Sequence, residues 1–401
     1  VRIRLAVLAV AAWVAGCSSP GPTAADASAG RPRANVTFDV RWRESIAGMA
    51  SMAGWADSPL GNPGLIRWRM RTDMGDMGDS ILRPTLDGDA LYVADAQGQL
   101  LSINAVTGRR QWRINTGTTI TGGVGAGGGL VLVGGEKGHV LAYGADGKLR
   151  WKAQATSEVL SPPAVANGMV VVRSEDGNIA GFDVADGKRK WLYEHTLPVL
   201  VVRSSAGVVI RDGTIYAGYA GGKLVALDLA SGNAKWETTL SEPRGTTELE
   251  RISDITSPPA VDAEEVCAVS FQGRVGCFGL AQGNLIWSRE FSSDKGLALG
   301  DKDLYVVDVA GSMAALDKST GSSAWKNAQL ENKHTAAPVV VGDYLVAGDK
   351  DGMLYAIRRE DGSIAARMTT DGSPILTPPI AVDGGVVVQT YNGGLYSVVL
   401  K

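Results

Sequence analysis

Short runs in which apolar and polar residues alternate recur along the chain, each closed off by glycine. One run is Gly222-Lys223-Leu224-Val225-Ala226-Leu227-Asp228, followed by Ser231-Gly232-Asn233-Ala234-Lys235-Trp236. Another starts at Asp176-Gly177-Asn178 and ends at Arg189-Lys190-Trp191. Alternation with period two marks a strand with two distinct faces, and glycine supplies the positive φ of tight hairpins. The first half of the motif recurs from Gly98, Gly138, Gly177, Gly222, Gly273, Gly311, Gly352 and Gly393. The tryptophan falls at 68, 112, 151, 191, 236, 287 and 325, with Arg367 read in its place once. A unit therefore predicts strand A at 163–165, strand B at 169–173, strand C at 178–183 and strand D at 189–194. Four antiparallel strands in roughly 40 residues make a β-propeller blade.

Counting strands predicts how the ring closes. The first D-type strand, 65–68, precedes every strand C, and the last strand C, 395–399, has no strand D after it. The N-terminal strand is thus expected to complete the last blade, leaving no open edge between first and last. The expected fold is all-β: one eight-bladed propeller over 65–401. Between 35 and 64, Ile46, Met49 and Met52-Ala53 have helical spacing, which reads either as a short helix or within a disordered extension.

Composition fits that pattern and narrows the chemistry. Glycine at 52 of 401 positions is about twice ordinary usage, as repeated turns require. A net charge of −3 without a basic run argues against a nucleic-acid partner. Three scattered histidines and three cysteines offer no metal-binding spacing, and no nucleophile elbow or phosphate loop occurs. The Asp-Gly pairs at 87, 146, 176, 186, 351 and 361 read as hairpin turns, because none carries the ligand pattern of a calcium loop. No catalytic residue, cofactor or metal is expected. Cys267 and Cys277 align with Tyr216 and Ala226 of the fourth blade, which should face each other on strands B and C. They read as a cross-strand disulfide or as two buried thiols, structural in either case.

The first sixteen residues read as an address. Arg2 and Arg4 precede an apolar stretch ending in Val14-Ala15-Gly16-Cys17, a secretory signal too short to span a bilayer. Small residues before a cysteine resemble a bacterial lipobox, which implies lipidation at Cys17. Ser18 after it favours sorting to the outer membrane. The Ser-, Pro-, Ala- and Gly-rich segment up to 34 reads as a flexible tether, so 17–64 comprises lipidated cysteine, tether and extension.

Two adjacent intervals between tryptophans are the longest, and both carry extra sequence between strand D and the next strand A. These loops, 195–206 and 241–256, rise on the same face as the B–C turns, where a rigid scaffold displays function. The first contains Leu197-Pro198-Val199-Leu200-Val201-Val202-Arg203. The second contains Thr246-Thr247-Glu248-Leu249-Glu250-Arg251-Ile252-Ser253-Asp254. Apolar anchors beside a guanidinium and carboxylates suit a protein interface.

The repeats, the lipobox and the Gly245–Asp254 stretch after Leu-x-x-Arg-Ser together resemble the BamB family, lipoprotein subunits of the outer-membrane β-barrel assembly machinery. The repeat alone, Gly-x-Leu-x-Ala-Leu-Asp then Gly-x-x-x-Trp, is similar to that of PQQ enzymes and implies only a propeller. The resemblance covers about 65 to the C-terminus and the signal. It implies a non-enzymatic scaffold that faces the periplasm from a lipid anchor and docks on the POTRA domains of the central barrel-inserting subunit. It carries Leu200, Val202, Arg203 and Asp254 over as partner-binding residues, and implies contact with unfolded outer-membrane protein clients around a monomeric propeller. The family often has a second acidic residue where this chain has Thr256, which weakens the acidic half of the contact. Two other readings of the repeat are a PQQ-dependent dehydrogenase-like enzyme and a free-standing ligand- or surface-binding lipoprotein. The first lacks room for insertions over the ring and has no adjacent cysteine pair.

Overall fold

The computed structural model describes Phe38–Asp39, 65–72, Met74, Met77 and 81–400. The chain divides into two compact units, Val1–Asn35 and Val36–Lys401, and every described residue belongs to the second. The signal at 1–16, Cys17, the tether and the helical spacing from 46 to 53 lie outside the described residues.

Seven four-stranded antiparallel sheets and one five-stranded sheet form an eight-bladed β-propeller. In blade three, strands A to D are Ala164–Ala166, Met169–Arg173, Ile179–Asp183 and Arg189–Tyr193, within a residue or so of the sequence reading. Blade four follows with Val209–Arg211, Thr214–Gly218, Lys223–Asp228 and Ala234–Thr239, and blade five with Ala260–Val261, Glu265–Val269, Arg274–Gly279 and Leu285–Glu290. Among the described residues the only helical element is a single 3-10 turn, Ala220–Gly222.

The core lies between sheets rather than within one. Strands B and C bury both faces, so alternate residues of one strand join different clusters. In blade four, Tyr216, Leu224 and Ala226 pack toward blade five with Val266, Ala268 and Phe278. Their neighbours Ile215, Ala217, Val225 and Leu227 pack toward blade three with Val171 and Ile179. The same alternation fills every gap around the ring, including the last: Leu91, Val93 and Leu101 of blade one pack with Val387 and Leu395 of blade eight. The ring is therefore closed by packing as well as by strand pairing.

Tryptophans fasten the outer rim of six gaps among the described residues. Trp191 of blade three donates its indole N–H to Leu229 O of blade four at 3.0 Å, and its ring lies over Gly232 in the C–D hairpin. Trp112, Trp151, Trp236, Trp287 and Trp325 repeat this bond and seating one blade further on each time. A one-residue bulge in strand D sets the position: Ala226 opposes Trp236 while Leu227 opposes Ala234.

That register corrects one reading. In blade seven Ala356 opposes Ala366 and Ile357 opposes Ile364, so Ala366, not Arg367, occupies the tryptophan position. The exception has a cause. Strand C of blade eight, Gly394–Leu400, ends at the chain terminus, and its strand D is Leu65–Arg71 from the other end. Blade eight thus has no C–D hairpin on which a tryptophan of blade seven could sit.

The N-terminal strand closes blade eight, with Leu65 opposite Val399 and Arg71 opposite Gly394. Phe38–Asp39 also pairs with that strand C, so this sheet reaches further upstream than a start at 65. In blade five, Cys267 and Cys277 are direct cross-strand partners, as Tyr216 and Ala226 are in blade four. Their sulfurs are bonded to each other, fully buried between blades five and six. Glu265 lies beside them, and among the described residues these three are the only cluster of metal-ligating type. With both sulfurs bonded, the cluster has no thiolate to offer a metal.

Candidate functional site

The long loops 195–206 and 241–256 leave strands D of blades three and four and lie next to each other on one face. The B–C turns share that face, as backbone bonds show: Glu175 N donates to Glu158 O at 2.8 Å, and Phe271 N to Asp254 O at 2.8 Å. Six of the ten exposed large apolar side chains among the described residues lie on this side: Ile81, Val199, Leu200, Leu249, Val309 and Leu376.

Asp254 ties the two loops together. Its Oδ2 accepts the backbone N–H of Val202 at 2.8 Å, and its Oδ1 accepts that of Gly221 at 3.0 Å. Ser204 Oγ adds a bond to Thr256 O at 2.8 Å. Asp254 is only 4% exposed. A carboxylate this buried, with an amide on each oxygen, is a structural tie. The expected acidic contact at Asp254 is thus taken up inside the chain: the residue holds Val202 and the turn of blade four in place. Thr256 contributes its carbonyl to the same junction, and its own hydroxyl is buried without a partner.

Arg203 projects from the first loop and is more than half exposed at its side chain. It pairs with Glu158 Oε2 at 3.0 Å and approaches Glu175 Oε1 at 3.8 Å. The Glu158 side of the pair is largely buried, while the guanidinium is open to solvent and to a further carboxylate. Leu200 is exposed beside Val199, which is fully open to solvent, and Val202 is half-buried. The structure therefore brings Val202, Arg203 and Asp254 to one junction, with Leu200 on the protruding part of the loop.

The second loop has its own internal frame. Thr247 Oγ1 accepts Glu250 N at 3.2 Å while Glu250 Oε2 accepts Thr247 N at 3.1 Å, a reciprocal capping box. Glu250 Oε2 also accepts the N–H of Thr246 at 2.8 Å, and these backbone bonds hold the carboxyl below its ordinary pKa. Arg251 Nε donates to Gly245 O at 3.1 Å across the base of the turn. The frame leaves Leu249 two-thirds exposed.

Between the loops and blade three lies a cavity of about 160 Å³. Leu197, Val201, Val202 and Arg203 line it from the first loop, Asp254 to Thr256 from the second, and Arg173 to Glu175 from blade three. Arg173 Nη1 donates to Ala206 O at 3.2 Å and Gly218 O at 2.7 Å, and its guanidinium lies 4.6 Å from the centre of the Tyr219 ring. Tyr219 in turn donates to Gly177 O at 2.9 Å and packs against His195 at 3.9 Å between ring centres. Burial raises the Tyr219 hydroxyl's pKa and lowers that of His195. Sequence reasoning missed Arg173, Glu158, Glu175 and this aromatic base. Arg173 had a signal: it is a charged residue at the strand-B position held by Ala94, Gly134, Gly218, Val269, Val307, Gly348 and Gln389 in the other blades.

A family model described as outer membrane protein assembly factor BamB matches residues 102–327 and 310–399. The chain is 44% identical to the outer membrane protein assembly factor BamB of Nitrosomonas eutropha, over 83% of this chain and 81% of that protein. It is 40% identical to the protein of the same name from Burkholderia pseudomallei, over 80% and 85%. The crystal structure of BamB from Moraxella catarrhalis superposes with a TM-score of 0.76 at 26% identity, covering 83% of this chain and 98% of that one. A quinohemoprotein alcohol dehydrogenase from Comamonas testosteroni shares the propeller fold, with a TM-score of 0.68 at 15% identity over 83% of this chain and 76% of that one.

Proposed function

This chain belongs to the BamB family of outer membrane protein assembly factors, and from that premise we propose that it is a scaffold docking through its paired loops. Family membership makes it an assembly factor, not an enzyme; the likeness to the dehydrogenase is one of fold alone. Its partner is the central barrel-inserting subunit, engaged through periplasmic POTRA domains. Lipidation at Cys17 holds the propeller at the inner surface of the outer membrane, where it helps unfolded outer-membrane proteins reach that subunit. The buried Cys267–Cys277 bond suits such an oxidising compartment.

One observation carries the docking reading: the two longest D–A connections leave adjacent blades and are fastened base to base, and they present apolar side chains around an exposed arginine. The interface centre falls to Leu200 and Val202, with Leu249 beside them, and the directional charged contact falls to Arg203. Asp254 acts through the loop it positions. The test is recovery of the central subunit with the Arg203→Glu chain from detergent extracts. Reversing a charge at an arginine anchor should cost at least about 1.4 kcal/mol, a tenfold loss of affinity. Full recovery would remove this face as the docking site.

A further inference from the structure

Arg173 is a cation built into a cavity without an anion to meet it. Two carbonyls occupy Nη1, and the Tyr219 ring supports one face of the guanidinium. Among the described residues no carboxylate pairs with it, and the acids around the cavity are already engaged. Glu158 and Glu175 face Arg203, and Asp254 holds two backbone amides. Nε and Nη2 make no hydrogen bond within the described residues, and Arg173 is among the residues that line the cavity.

We propose that this cavity receives an aspartate or glutamate side chain of the docked partner, held bidentately by Arg173. The inference rests on the reading that the loop face binds a protein. A planar fork already oriented by two carbonyls and an aromatic ring matches a carboxylate with little ordering left to do. Leu197, Val201 and Val202 line the approach and keep the pair out of bulk water, where it would be screened. Desolvation lowers the guanidinium's pKa, and an incoming carboxylate offsets that loss. Arg203 then serves the exposed rim of the interface and Arg173 its depth.

The experiment is a double-mutant cycle using the full chain and the purified central subunit in detergent. Arg173→Gln and Arg173→Lys are each combined with single Asp→Asn and Glu→Gln changes across the partner's periplasmic domains. Breaking a desolvated charge pair costs about 2 kcal/mol or more, so Arg173→Gln should weaken binding about 30-fold, with Arg173→Lys less affected. One acidic position on the partner should show coupling, its amide variant losing nothing further against Arg173→Gln. Weakening by Arg173→Gln without coupling at any acidic position would make Arg173 a structural tie and overturn the proposal. So would unchanged affinity of Arg173→Gln where Arg203→Glu abolishes binding, an outcome that leaves the docking reading standing. If the unaltered chain does not bind the subunit, both fall together.

Discussion

At six blade boundaries among the described residues a tryptophan on strand D meets a glycine on the next blade, and the two residue types depend on each other. The indole lies so close to the hairpin that a Cβ on Gly232 would come within 2.5 Å of the Trp191 ring. That glycine also has φ of 72°, in the left-handed region that residues with a Cβ resist. Gly232→Ala therefore meets two penalties, a steric one and a backbone one. The sum is a loss of about 2–4 kcal/mol, measurable as a lower midpoint in denaturant unfolding. Gly213, also left-handed at φ of 70°, has open space where its Cβ would go. Gly213→Ala should show only the smaller backbone part. The same dependence explains Ala366: where no neighbouring hairpin supplies a glycine, no tryptophan is needed. Spacing from glycine to tryptophan was legible in the sequence, but the exchange at blade seven was misplaced by one residue. The bulge that fixes the register leaves no mark in composition or periodicity.

At the scale of elements, the loops inherit their positions from the strands beneath them. Their length was legible as an irregular interval between tryptophans. Which residues point outward was not, because the burial of Asp254 depends on Val202 and Gly221, 52 and 33 positions away in the chain. Arg173 was hidden for the opposite reason: it sits inside a regular strand, and only alignment of all eight blades exposes it. The first loop begins at His195, half-buried between Tyr193 and Tyr219, with its backbone N–H bonded to Asn178 Oδ1 at 3.2 Å. Burial depresses its pKa below the ordinary 6.5, against the opposing pull of Glu237, with smaller lowering contributions from Lys223 and Arg173. The unfolded chain then binds the proton more readily than the folded one, so stability falls as pH drops from 6.5 through the folded-state pKa. His195→Phe removes this titration. The expected result is a smaller loss of thermal stability for the variant than for the unaltered chain between neutral and mildly acidic pH. Parallel losses in the two proteins would show that His195 does not load the loop base with a pH-dependent strain.

Over the whole molecule, closure converts eight weakly distinct sheets into one cooperative unit. No blade buries its own core: each cluster draws residues from two blades, and the cluster joining blades eight and one is built like the other seven. Sequence order is thus less important than ring order, which is why strand counting alone could place the N-terminal strand in the last blade. Removing 36–71 should then do more than trim an end. It strips the partner from strand C of blade eight, exposes an edge that invites association, and takes Met70 from the closing cluster. A circular permutant separates connectivity from closure. In it, position 400 is joined to Leu65 through an Asn-Gly hairpin, and the chain is reopened at the C–D hairpin of blade four. Every strand pair except that of Phe38–Asp39 survives, as does every interblade cluster, so the permutant should fold as a monomer with an unfolding midpoint close to that of residues 36–401 in their natural order. The truncated chain should unfold at a lower temperature and form larger species in size-exclusion chromatography. If the truncated chain matched the permutant in both measurements, the N-terminal strand would be an accessory to blade eight and the packed blades would hold the ring without it.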